Sequence, residues 1–137
     1  MFRTQIVPLD GSQEAERALP YAVHLALASG GRLALVRVAL GPPDSAAAKR
    51  FAARSGGRAP SPNLRVGDPA PAIVMAEIDC RADLVVMSTH GRTGLGRAVM
   101  GSVAGEVLRS GRVPVALAGR SAALPLARPA RASAASA

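Results

Sequence analysis

The sequence predicts an α/β protein with an open, parallel, five-stranded sheet, helices on both faces, and a strand-helix unit repeated four times before a closing strand. Short aliphatic runs alternate with helix-patterned segments along the chain. The runs TQIVPL, RLALVRVAL, DLVVMS and VPVALA are nearly continuous in apolar residues, as strands covered on both faces are. Turn signals such as Asp10-Gly11-Ser12 and Gly41-Pro42-Pro43 follow the first two runs directly.

The first strand covers residues 4–9, and Pro8 is tolerable there only at the strand's end, where ladder bonding stops. Ser12 is a good N-cap for the helix that follows, and Glu14 and Glu16 suit its positive end. Ala15, Ala18, Leu19, Ala22, Val23 and Ala26 keep a helical spacing until Gly30 and Gly31 end it. Pro20 falls inside that pattern, which predicts a kink or a helix that tolerates one lost hydrogen bond. The second strand is residues 32–40. Residues 44–54 form a short Ala-rich helix, residues 55–62 (SGGRAPSP) read as loop, and residues 63–66 make a short third strand. Asp68-Pro69 then opens a helix that ends near Arg81. Residues 83–88 are a buried strand, 89–100 a Gly- and Arg-rich loop and 101–110 a helix. The last strand runs from Val113 to Ala118. Beyond it the chain is small, basic and Pro-interrupted, which predicts a domain over 1–119 and a disordered tail over 120–137.

The chain has 137 residues, 49% hydrophobic, so one domain is expected and no disulfide or metal staple is needed for stability. Cys80 is the single cysteine, and only His24 and His90 are histidines, which excludes a disulfide framework and a zinc site on cysteine pairs. A reducing, cytoplasmic compartment follows, and no apolar run is long enough for a membrane span. The net charge of +8 is carried almost wholly by arginine, Lys49 being the only lysine. Charge of this kind suits an anionic ligand, nucleic acid or a compositional bias alike. Aromatic content of 2% argues against base-stacking platforms, and Arg120, Arg128 and Arg131 of the tail are too few for tight phosphate neutralisation, so nucleic acid is not the expected partner.

Chemistry concentrates in residues 87–102, MSTHGRTGLGRAVMGS, which leave a strand, cross a glycine-rich stretch and enter a helix. That order is an anion-binding architecture, because glycines let backbone approach a ligand and a helix start presents free amides. Gly91 and Gly101 supply close approach, Ser102 a hydroxyl, and Arg92 a charge-assisted contact. A Walker A loop is excluded, since no lysine follows Lys49, and a dinucleotide fingerprint fails because Val99 stands where its third glycine belongs. Asp10, at a strand's carboxyl end, suits either a ribose hydroxyl and Mg²⁺ or plain turn formation and capping. His90 lacks an acid partner beside it in sequence, so it reads as a structural or phosphate contact and not a catalytic base.

Several separated segments together resemble the universal stress protein family, in its single-domain, ATP-binding form. They are IVPLDGS with its Ala-rich helix and LPYA, VGDPAPAI, ADLVVMSTHGRTGLGRAVMGSVAGEVLR, and the closing VPVAL. The resemblance spans roughly residues 2–119 and implies a Rossmann-like fold of the adenine-nucleotide alpha-hydrolase type. The nucleotide-binding members share the pattern GxxG, nine residues, then G followed by Ser or Thr. Here Gly91 and Gly101-Ser102 fit, while Ser88 replaces the first glycine. The resemblance implies that Pro8 and Met87 line a base pocket, Val38 meets adenine through its backbone, and Asp10 lies near ribose or metal-bridged phosphates. It places phosphates against Gly91, Gly101, Ser102 and Val103, with Mg²⁺ reached by Asp10 and Ser102.

The expected function is therefore a nucleotide-binding regulatory protein, taking ATP, AMP or another adenine nucleotide, that works by binding and not by turnover. An ATP-independent interaction platform is the alternative, with Ser88 as its mark. A related nucleotidyl transferase would need an HxGH-type pair, and His90 is the loop's one histidine. An apolar last strand at a sheet edge needs covering. The resemblance implies a homodimer through Val113 to Ala118, with Pro114 facing away from the ladder.

Overall fold

The computed structural model describes residues 1–39, 64–89 and 100–119. Nine elements are placed: β1 (Thr4–Leu9), α1 (Gln13–Glu16), α2 (Leu19–Ser29), β2 (Arg32–Ala39), β3 (Leu64–Val66), α3 (Pro69–Asp79), β4 (Leu84–Ser88), α4 (Ser102–Ser110) and β5 (Val115–Ala118). The expected helix over 44–54, the glycine-rich stretch over 90–99 and the tail over 120–137 lie outside the described residues.

All five strands form one sheet of order β3-β2-β1-β4-β5, and every pairing is parallel. The chain moves outward from β1 to β2 and β3, then crosses back to β4 and β5. The switch point therefore lies between β1 and β4.

Two apolar layers sandwich the sheet. On one face Ile6, Val36, Val38, Val85 and Met87 pack against Ile73 and Ala76 of α3 and Ala104 and Val107 of α4. On the other, Val7, Leu84 and Val86 meet Ala18 and Ala22. Alternate residues of β1 and β4 thus enter opposite cores, which is why these runs read as continuously apolar. The helices press mostly alanine onto the sheet, so an almost aromatic-free chain still closes its core.

Pro20 does not kink a single helix. The helical pattern divides into α1 and α2, and Pro20 occupies the first turn of the second, where its missing N–H costs no intrahelical bond. The last strand starts at Val115, two residues later than expected, because Pro114 precedes it. The Pro114 carbonyl still accepts from the Val85 amide at 3.0 Å.

Pro8 lies within β1 and stays in register with Val36 of β2. The Arg3 carbonyl accepts from Arg32 of β2, whereas the Thr4 carbonyl accepts from Asp83, just before β4. Since each residue of a parallel strand turns its N–H and C=O to one side, Thr4, Ile6 and Pro8 address β4. The missing N–H of Pro8 is thus lost on the β4 side alone, and there pairing ends at Ile6 with Val85. Ladder bonding stops at Pro8 as expected, but toward one neighbour only.

The opposite end of the same strand pair is fastened. Asp83 accepts from the Arg3 amide at 2.8 Å through Oδ2 and from the Thr4 amide at 3.1 Å through Oδ1. The Arg3 amide, helped by that of Thr4, holds the Asp83 carboxyl below its usual range, against a partial desolvation that works the other way. A depressed folded-state pKa contributes stability that is present above the ordinary aspartate range and lost as pH falls through the folded value. Asp83→Asn should therefore lower the melting temperature at neutral pH, with the gap to wild type closing as the solution is acidified below the aspartate range. A gap independent of pH in thermal melts would contradict this.

Candidate functional site

Beyond Ile6 and Val85 the carboxyl ends of β1 and β4 frame a cleft of about 210 Å³. Pro8, Asp10, Val38, Met87, Ser88, Gly101, Ser102 and Val103 all line it. These residues were expected to serve one ligand, and the fold brings them together from four segments of the chain. His90, Gly91 and Arg92, the remaining sequence candidates, lie outside the described residues.

Of the helices that begin at this cleft, α3 and α4 differ in the chemistry of their first turns. At α4 the N-cap is Gly101, which has no side chain to satisfy the first amides. The Gly101 amide donates to the Thr89 carbonyl at 2.7 Å, and the first intrahelical bond runs from Gly105 to Gly101. The amides of Ser102, Val103 and Ala104 are left without an intrahelical acceptor, and all three residues line the cleft. Three free donors at the positive end of a nine-residue helix suit an anion.

At α3 the first turn carries Pro69 and Pro71, neither of which has an N–H. The Ala72 amide already donates to Asp68, leaving only Ala70 with a free donor in that turn. Pro69 and Ile73 face the cleft beside Val38 and Met87, so this end presents apolar surface. Sequence reading took Asp68-Pro69 as a helix start and nothing more. Pro69, Ile73, Leu9, Ala15, Thr89 and Ala104 are cleft residues it missed. The alternation Pro69-Ala70-Pro71 was the available signal, since two prolines in one first turn silence an anion site.

Asp10 belongs both to the turn after β1 and to the cleft wall. Its Oδ1 accepts from the Ser12 amide at 2.8 Å and from the Ser12 hydroxyl at 2.5 Å. Ser12 Oγ in turn accepts from the Ala15 amide at 3.2 Å, capping α1. Both bonds to Asp10 use one carboxylate oxygen, so the turn holds the side chain in place while Oδ2 keeps its acceptor capacity. Gly11 makes the turn possible with φ of +86°, and the Arg37 guanidinium lies over it. Ser88 lines the cleft at the end of β4, where its Cβ and hydroxyl stand in place of the glycine in the family pattern. Among the described residues no group of three or more His, Cys, Asp or Glu side chains could hold a metal ion.

Comparison with known proteins agrees with this architecture. A model of the universal stress protein family matches residues 1–55 and 44–118. A Thermus aquaticus protein described as "Universal stress protein in QAH/OAS sulfhydrylase 3'region" is 33% identical over 135 residues, covering 85% of this chain and 98% of that protein. Among solved structures, a universal stress protein in complex with cAMP superposes with a TM-score of 0.60 at 24% identity, covering 85% of this chain and 97% of that one. The universal stress protein UspA of Lactobacillus plantarum gives 0.61 at 22% identity, with 84% and 96% covered. At these identities the two structures show a common fold.

The Asp10 turn leads to a stability prediction. Gly11→Ala forces a Cβ onto a left-handed backbone and should cost about 1–2 kcal/mol, measured by urea unfolding. The Arg37 contact contributes little to that cost, because the guanidinium is the free end of a flexible chain and moves aside. An unchanged unfolding midpoint would contradict the turn geometry.

Proposed function

The chain belongs to the universal stress protein family, and on that premise we propose that it is a small regulatory protein that binds an adenine nucleotide and acts through binding and dimerisation, not turnover. The observation that carries this reading is the polarity of the cleft. One end is apolar, with Pro69, Ile73, Val38 and Met87; the other offers the free amides of Ser102, Val103 and Ala104. A flat uncharged base suits the first end and phosphates the second. The cAMP carried by one structural neighbour supports an adenine nucleotide as the class of ligand.

ATP with Mg²⁺ is the ligand we assign. Magnesium binds through one or two carboxylates together with substrate phosphates, and does not require a cage made wholly of protein. Asp10, with one oxygen outside its turn, and the Ser102 hydroxyl fit that sparse donor set. The ion would neutralise phosphate charge beside Asp10. Binding is the output we assign, with hydrolysis slow at most. A single cysteine, Cys80, with no second one in the chain to pair with, suits the cytoplasm.

The second copy of the chain would pair along β5, a sheet edge of four residues in which Val115 and Ala116 are half-buried and Leu117 is exposed. Pro114 turns its carbonyl to β4, so its missing N–H takes nothing from the open edge. Light scattering at working concentration should report twice the 13.9 kDa chain mass, and a monomer would contradict the dimer.

Titration calorimetry tests the nucleotide. Wild type should bind ATP with Mg²⁺ in the micromolar range, after heat extraction has removed nucleotide carried through purification. Gly101 has φ −56° and ψ 153°, a backbone conformation valine adopts freely, so Gly101→Val should keep the fold while its side chain crowds the amides. Binding should weaken roughly tenfold to a hundredfold. No binding to wild type, with no carried nucleotide, would favour an ATP-independent interaction platform and point to Ser88 as the cause.

A further inference from the structure

Five arginines from four separate stretches of the chain come to the end of the sheet opposite the cleft. Arg3 precedes β1, Arg32 opens β2 and donates through Nε to the Thr4 hydroxyl at 2.9 Å, Arg81 lies before β4 and Arg112 before β5, while Arg109 is in the last turn of α4 with its guanidinium folded back over Gly105. In a parallel sheet all strand starts share one end, and the connecting helices finish there. The Arg32 amide donates to the Arg3 carbonyl at 2.8 Å, and the Arg3 amide to Asp83, so the row is continuous across β2, β1 and β4. All five side chains are exposed.

The carboxylates at this end face backbone amides or Arg65, and one buried oxygen, Glu77 Oε1, has no partner among the described residues. Asp83 accepts two backbone amides, Glu77 is buried and accepts the Arg112 amide at 2.8 Å, and Asp79 is bound by Arg65 at 2.7 Å. Among the described residues none of the five arginines forms a salt bridge. Arg81 adds a separate indication. It is the one described residue other than glycine with a positive φ, 49°, in the position after a helix where glycine is favoured. An arginine stands there in a backbone conformation that strains an L side chain.

We propose that this end of the sheet binds the phosphodiester backbone of duplex nucleic acid without reading its sequence. Neighbouring strands stand about 4.8 Å apart, so the row offers a guanidinium roughly every strand, each a planar fork suited to phosphate oxygens. Among the described residues the aromatic beside the row, Phe2, is half-buried against the core, which favours contact with the backbone over stacking on bases. The tail's three arginines did not suggest such a partner to sequence reading, and the row was invisible there because its members are scattered from Arg3 to Arg112. The surface is distant from the cleft, so this inference stands apart from the nucleotide reading.

Fluorescence anisotropy of the full chain with a labelled 20-base-pair duplex tests it. In 50 mM salt wild type should bind at micromolar concentration, and the logarithm of affinity should fall against that of salt with a slope of about −3. The triple variant Arg3→Gln, Arg81→Gly, Arg112→Gln should bind at least tenfold more weakly with a flatter slope. Its thermal melt should be no less cooperative, since the backbone bonds of Arg3 and Arg112 remain and glycine relieves position 81. Arg17→Gln, on the cleft side, should bind like wild type. Binding by the triple variant as tight as wild type would overturn the proposal, as would no binding at 50 mM salt. Tighter binding of wild type to poly-glutamate or to phosphatidylserine vesicles than to the duplex would overturn it too.

Discussion

The pairing of β1 with β4 is the constraint on which the rest of the site depends. At the amino end Asp83 reaches across with both oxygens and accepts from the successive amides of Arg3 and Thr4, where β1 begins, so the two strands are held close. At the carboxyl end Pro8 turns toward β4 a nitrogen that carries no hydrogen, and pairing stops after Ile6. The strands are joined below and released above. Because β1 and β4 are also where the chain reverses its direction across the sheet, the release falls where the flanking helices leave room for a ligand.

What fills that opening is decided by residues that also serve the core and the turns. Met87 and Val38 belong to the core by burial, yet both lie at strand ends, where the core becomes the cleft wall. The helix starts differ through prolines alone: α4 keeps its amides because Gly101 brings no cap, and α3 loses two of its own to Pro69 and Pro71. Asp10 is fixed before any ligand arrives, since Ser12 holds one of its oxygens. A preorganised carboxylate needs little further ordering on binding.

Most of the architecture was legible in the sequence because strands buried on both faces leave continuous aliphatic runs, and glycine and proline mark where those runs end. The core-facing site residues were legible only through the resemblance, since nothing local separates Val38 or Met87 from any other buried residue. Pro8 and Pro20 were seen as difficulties, but their resolution depends on neighbours. Whether a proline disrupts a strand depends on which side its nitrogen faces, and whether it kinks a helix depends on where the helix begins. Pro69 and Ile73 went unnoticed because a capped helix start explains their pattern locally, while their meeting with β4 and α4 is a property of topology. The arginine row is the same case at the other end of the sheet.

The central claim is that the cleft is polarised, with a base at the α3 side and phosphates on the amides that open α4. Amide and methyl NMR of the labelled full chain, titrated with ATP and Mg²⁺ and separately with adenosine, tests it most directly. The account predicts that both ligands shift the methyl signals of Ile73, Val38 and Met87, and that ATP alone shifts the amides of Ser102, Val103 and Ala104. Equal shifts of those three amides by adenosine, or ATP shifts confined to residues outside the cleft, would contradict it.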